Sequence, residues 1–211
     1  PGYFDNPTYV ATDAAGNVYV AELANQRVQK FTWNGTHLTM WGSFGSGDGQ
    51  FNAPNGVALD ALGNVYVADL SNNRIQKFTN TGQHLATWGG RDSGDGRRQF
   101  YLPNGIAVDS VGNIFVADTF NHRVQKFNSV GAYLGEWGAQ GTAHGAFNFP
   151  YGIAVDAKGD VYVADTNNRR IQRFDDFFAA HAMEEDQPAG GDNGPGEAET
   201  HRPAPDNARS A

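Results

Sequence analysis

Four times the chain sets an acid, an asparagine and an arginine at offsets of three and five. The sets are Asp69, Asn72 and Arg74; Asp118, Asn121 and Arg123; Asp165, Asn168 and Arg170; and Glu22, Asn25 and Arg27. An Asp–x–x–Asn–x–Arg unit invites a charge-assisted ion pair with side-chain-to-backbone hydrogen bonds across a turn. The alternative is a ring of charges that holds an anionic ligand. Recurrence favours the first: a residue present once per repeat serves what every repeat needs, and pairing neutralises the ring.

Other chemistries fare less well. A three-His zinc site would need several histidines on one face. His37 and His84 stand at equivalent repeat positions and read as structural, while His181 and His201 lie in or near the C-terminal segment. That leaves His122 and His144. The chain has no cysteine and no Gly-x-Ser-x-Gly elbow, so neither a thiol nor a hydrolase-type serine nucleophile is offered. The runs Gly45-Ser46-Gly47-Asp48-Gly49 and Asp92-Ser93-Gly94-Asp95-Gly96 could present oxygens to calcium. They lack the acidic series and terminal Glu of a calcium loop, and read as turns requiring positive φ. Asn34-Gly35-Thr36 matches a glycosylation sequon but also supplies a hairpin turn. No catalytic residue, metal ligand or cofactor is assigned.

The elements that position these residues follow from a repeat. Asn55-Gly56-Val57-Ala58-Leu59-Asp60 recurs as Asn104–Asp109 and Tyr151–Asp156, each after a proline, and a looser copy starts at Pro7. Turn glycines Gly16, Gly63, Gly112 and Gly159 are spaced 47, 49 and 47 residues apart. Each unit holds short runs of Val, Ile, Tyr and Phe punctuated by Gly, Asn and Asp, the composition of β-strands. Hairpin signals such as Thr81-Gly82 join the third strand to a fourth ending in Trp88. Four strands, a to d, in a unit of this length predict a propeller blade. Strand b is apolar at both alternations (Val65, Tyr66, Val67, Ala68), so both its faces are expected to be buried between neighbouring blades. Small residues Ala11, Ala58, Ala107 and Ala154 on strand a fit crowding near the axis.

The runs Asn25-Gln26-Arg27-Val28, Asn72-Asn73-Arg74-Ile75, Asn121-His122-Arg123-Val124 and Asn168-Arg169-Arg170-Ile171 carry a more specific signal. Together with Pro-x-Gly-Ile-Ala-Val-Asp and Gly-Asn-Val-Tyr-Val-Ala-Asp, they resemble the NHL repeat family over roughly residues 3–174. The resemblance implies an all-β fold, a β-propeller usually of six blades, acting most often as a binding platform for protein or RNA. A minority of relatives are lyases, and related propellers include lactone hydrolases. This chain departs from the pattern: it shows four units, the fourth lacking strand d. A partial six-bladed ring is favoured, with a compact four-bladed ring second. The exposed end blades make oligomerisation an option.

The pattern stops at Phe174. Residues 1–174 hold 13 Lys+Arg and 14 Asp+Glu, whereas 175–211 hold 2 and 9, so the net charge of −8 belongs almost wholly to the second segment. Rich in Ala, Pro, Gly, Glu and Asp, residues 175–211 are expected to form a disordered acidic tail. No apolar run is long enough for a membrane-spanning helix, and no signal peptide is visible at Pro1-Gly2-Tyr3-Phe4. An extracytoplasmic setting is slightly favoured over a cytoplasmic one.

Strand parity puts the b–c and d–a loops at one end of the propeller. These loops vary between repeats while the a–b loops do not, which makes their face the candidate for recognition. The candidate binding residues are Phe120, His122, Tyr151, Arg169, Asn55, Asn104, Arg97 and Arg98. The expected role is a scaffold for a protein, peptide or glycan. An enzyme of lyase or lactone-hydrolase type, its site completed by further blades, is the alternative. RNA binding comes third, because near-neutral repeats lack the basic excess that gripping phosphates requires.

Overall fold

In a computed structural model, residues 2–90 and 94–175 are described. Apart from Asp175, the acidic tail lies outside them, as do Arg91 and Asp92. Among the described residues, apolar runs broken at glycine turns produce fifteen strands and almost no helix. They form four antiparallel sheets set around one axis, a four-bladed β-propeller. Blade 1 contains β1 (Pro7–Thr12), β2 (Val18–Glu22), β3 (Arg27–Phe31) and β4 (His37–Trp41). Blade 2 contains β5 (Pro54–Leu59), β6 (Val65–Asp69), β7 (Arg74–Phe78) and β8 (His84–Gly89). Blade 3 contains β9 (Pro103–Val108), β10 (Ile114–Asp118), β11 (Arg123–Phe127) and β12 (Tyr133–Trp137). Blade 4 has three strands among the described residues: β13 (Pro150–Val155), β14 (Val161–Asp165) and β15 (Arg170–Phe174).

Strands within a blade pair in sequence order. The register repeats from blade to blade: Asp69 faces Arg74, Asp118 faces Arg123 and Asp165 faces Arg170 across the b–c turn. Inner strands β1, β5, β9 and β13 pack side by side in succession. Their closest approach falls at Gly56 and Gly105, where a Cβ would strike the carbonyl oxygens of Asn104 and Tyr151 in the next blade. Glycine at these positions lets the backbones meet; the alanines two residues on pack against the next blade.

The core lies between blades. Tyr19, Ala21 and Val28 of blade 1 pack on Val57, Val65, Val67 and Phe78 of blade 2. Tyr66, Ala68, Ile75 and Trp88 meet Ile106, Ile114, Val116 and Phe127. Phe115, Ala117, Val124 and Trp137 meet Ile153, Val161, Val163 and Phe174. Each blade thus presents one donor face forward and one acceptor face backward, which is why the first four residues of strand b are apolar on both alternations.

One element was not read from the sequence. Residues 2–6 occupy on blade 1 the place that a d–a connector occupies on the later blades. Phe4 packs on Phe31 at 5.5 Å, as Phe51 does on Phe78, Phe100 on Phe127 and Phe147 on Phe174 at 5.6–5.7 Å. The Tyr3 carbonyl accepts from Arg27 and Gln29, as the Gln50 carbonyl does from Arg74 and Gln76. The signal was present: each of these phenylalanines precedes its partner by 27 residues.

Candidate functional site

The recurrent acid–Asn–Arg units are built into the blades. The Asp69 carboxylate is fully buried and accepts from the Asn52 backbone N–H, the Asn72 amide, Arg74 Nε at 2.6 Å and the Gln76 amide. Asp118 and Asp165 repeat the arrangement with Arg123 and Arg170. Burial pushes the Asp69 and Asp118 carboxyls up, against the hydrogen bonds that pull them down. Burial also acts on Asp165, but blade 4 is less enclosed; there the bonds from Asn148, Asn168 and Arg170 outweigh it and hold the pKa below the ordinary value.

The same arginines explain the glycine-rich connectors. Arg74 donates to the carbonyls of Ser46, Gly47 and Gln50 at 2.6–2.9 Å, and Arg123 donates to those of Asp95, Gly96 and Gln99. The loops wrap their oxygens around a guanidinium. Positive φ occurs at Gly45 and Gly49 in the first connector, as expected. In the second, Gly94 and Gly96 do not need it; Arg98 instead adopts φ 64°, at the position that Gly49 and Gly145 fill elsewhere. Its N–H is held by Gln125 Oε1 at 3.1 Å, as Gly49 is by Gln76 and Gly145 by Gln172.

These bonds place the b–c and d–a loops at one end, as strand parity required. Three b–c turns form short 3₁₀ segments, Leu70–Asn72, Thr119–Asn121 and Thr166–Asn168, each closed by a left-handed residue: Asn73, His122 and Arg169. Gln26, Asn73 and His122 each turn a side-chain acceptor onto the backbone N–H of a left-handed residue in the following connector: Ala53, Leu102 and Phe149. For His122 the acceptor is Nδ1, 3.1 Å from the Phe149 nitrogen. Burial lowers the His122 pKa, with the Asp165 charge opposing.

The eight candidate residues fall into three groups. Phe120 and His122 come together on Phe149, with ring centroids 4.9 and 4.6 Å from it, and Tyr101 adds a further ring 5.1 Å from Phe120. Phe120, Tyr101 and Tyr151 are exposed. The patch of Tyr101, Phe120, His122 and Phe149 joins the second connector, the blade 3 b–c turn and the connector into blade 4, and Tyr151 follows Phe149 by two residues. Tyr101 and Phe149 were not singled out in the sequence, because their connectors read as turns. Asn55 and Asn104 form a second group, a chain of hydrogen bonds around the mouth. The Asn55 amide donates to Asn104 Oδ1, Asn104 donates to Thr119 Oγ1 at 2.9 Å, and Thr119 donates to the Pro150 carbonyl at 2.7 Å. Asn104 is buried there. The basic residues form the third group. Arg97 lies over the Tyr133 ring at 5.6 Å, on the outer strand of blade 3, while Arg98 and Arg169 are exposed. Their charges are spread along the rim.

Among the described residues, no three His, Asp or Glu side chains converge as a metal site. His37 and His84 pack edge-on against Phe31 and Phe78. The opposite face, where the a–b and c–d loops lie, carries a recess of about 360 Å³ lined by Thr12–Ala15 and Leu59–Gly63. Trp33, Leu62, Val111 and Val130 stand exposed on the loop tips of that face. No helix of the described residues is long and apolar enough to cross a membrane.

The NHL repeat profile matches residues 51–78, 100–127 and 147–174. Each match runs from the connector phenylalanine to the end of strand c. No curated protein matches the chain. Solved structures with a similar fold include a catalytically inactive virginiamycin B lyase from Staphylococcus aureus with quinupristin. Its identity is 17% and its TM-score 0.59, over 80% of this chain and 55% of that one. The WD40 repeats of RRP9 match at 14% identity and TM-score 0.58, over 82% and 52%. A protein of unknown function from Bacteroides caccae matches at 17% and 0.52, over 80% and 60%. At these identities the likeness is one of fold. The chain spans about half the length of these structures.

Proposed function

From a chain that carries NHL repeats, we propose a binding scaffold that engages a protein, peptide or glycan through the face formed by its b–c and d–a loops. The observation that carries this reading is the aromatic patch of Tyr101, Phe120 and Phe149, with Tyr151 exposed two residues beyond Phe149. Exposed aromatic side chains held by packing lose little conformational freedom on binding and supply large contact areas. The patch sits on loops anchored by buried ion pairs, so it is presented rigidly. Arg98 supports the reading from another side. A non-glycine residue in the left-handed region costs about 1–2 kcal/mol, and other connectors place glycine there, so this loop keeps an exposed arginine at a structural cost.

The test uses a phage-displayed peptide library panned against the 211-residue chain. Selected peptides bind the native chain and lose at least about tenfold in affinity, close to 1.4 kcal/mol, in the Phe120→Ala, Tyr151→Ala double variant. His122 is left intact because its ring holds the Phe149 backbone. Peptides that ignore the double variant but are lost on Trp33→Ala would move the site to the opposite face and overturn the proposal.

A further inference from the structure

Three internal interfaces join a donor face of one blade to an acceptor face of the next, and among the described residues the blade 4 donor face and the blade 1 acceptor face are unmatched. On the donor side, Val28, Ile75 and Val124 are 0–1% exposed, whereas their blade 4 counterpart Ile171 is 65% exposed. Ala154, equivalent to the buried Ala58 and Ala107, is exposed as well, and Tyr162 and Ala164 are only partly covered. On the acceptor side, Val57 of blade 2 is 1% exposed and its blade 1 counterpart Val10 is 59% exposed. Phe31 is covered by Phe4, so the connector position of this acceptor face is already filled. At the axis, Tyr9 Oη donates to the Ile153 carbonyl at 3.3 Å and bridges the seam. Outward from that bond, among the described residues, the donor face is exposed at Ala154 and Ile171 and the acceptor face at Val10, with Val18 partly covered and Val20 and Phe31 already buried.

We propose that the seam is an interaction surface whose partner is a second copy of this chain. The blade 4 donor face of one copy (Ala154, Tyr162, Ala164, Ile171) seats on the blade 1 acceptor face of another at Val10 and Val18, beside the already buried Val20 and Phe31. The argument for this occupant is continuity with an interface the chain already uses three times. The donor positions repeat Ala, aromatic, Ala and Ile or Val, and the acceptor positions repeat β-branched residues and Phe, so each copy offers the complement of the other's unmatched surface. The contact is head-to-tail, and it closes into a ring or extends according to the rotation it imposes. It involves neither the aromatic patch nor the loops that carry it, so it stands apart from the proposed binding face.

Sedimentation velocity of the 211-residue chain across the micromolar range tests this. The native chain shows a concentration-dependent rise in sedimentation coefficient. Ile171→Glu and Val10→Glu each remain monomeric with unchanged circular dichroism; Ile171→Thr serves in place of the first if its unfolding midpoint falls. Mixing the Glu variants restores one partner each, because Val10→Glu retains a donor face and Ile171→Glu an acceptor face, and the mixture stops at a dimer. A native chain that stays monomeric throughout overturns the proposal and leaves the seam to another segment or protein. So does self-association that persists in Ile171→Glu, and self-association of Val10→Glu alone would replace head-to-tail contact by donor-to-donor contact.

Discussion

At the scale of single residues, the molecule converts side chains with chemical potential into braces. Asp118 illustrates it: a carboxylate flanked by Arg123, Asn121 and Gln125 is spent on joining a b–c turn to the connector beside it. The residue types and spacings were readable, and pairing was the expectation, because four equal copies cannot all be a unique active centre. What the spacing did not give was the third partner, the connector carbonyls, which come from 24 to 28 residues away. His122 is more revealing. As a non-recurring histidine in a variable loop it reads as a binding residue, yet its Nδ1 holds the Phe149 N–H. Protonation of that nitrogen removes the acceptor. Its folded pKa lies below the ordinary value of about 6.5, so the unfolded chain takes up the proton first. Stability is therefore complete above the unfolded pKa and falls as pH drops from there toward the folded pKa. The unfolding midpoint of the native chain should fall further between about pH 7 and about pH 5 than that of His122→Gln, which keeps an acceptor as Gln26 does in blade 1. Equal falls in the two proteins would show that the His122–Phe149 bond does not couple to pH.

At the scale of elements, strands and turns follow directly from composition, since period-two apolar runs bounded by Gly and Asn have few other ways to bury themselves. Repeated sequence, however, does not mean repeated energetics. Ile75 and Ile171 occupy the same position on the third strand of their blades, one enclosed between blades and the other on the open face. Ile75→Ala should cost about 2–5 kcal/mol, the range for deleting a buried side chain. At dilutions where copies of the chain are apart, Ile171→Ala should stay within about 0.5 kcal/mol, as substitutions at exposed sites do. Chemical denaturation measures both, and similar losses would mean that Ile171 is covered in solution. The short segment around Phe4 belongs at this scale too. Its phenylalanine is an isolated aromatic until its 27-residue offset to Phe31 is compared with the three later pairs.

At the scale of the whole molecule, four blades around one axis leave a graded structure. β6, β7, β10 and β11 have neighbours on both faces, while blade 4 has three strands and one open face among the described residues. Backbone amides of β13–β15 should exchange faster than those of β6, β7, β10 and β11 in dilute solution, read by native-state hydrogen exchange. Uniform protection across the four blades would contradict that gradient. The sequence by itself determined the repeat, the strands, the blade count and the pairing of Asp with Arg, because these depend on local periodicity and on recurrence within one chain. Only the tertiary structure decided which of the variable loop residues form a patch, that Asn104 and His122 serve as braces, and which face of each end blade stays open. The reason is physical: blades stack through contacts between residues roughly one repeat apart, and whether a side chain is enclosed depends on the neighbouring blade rather than on its own.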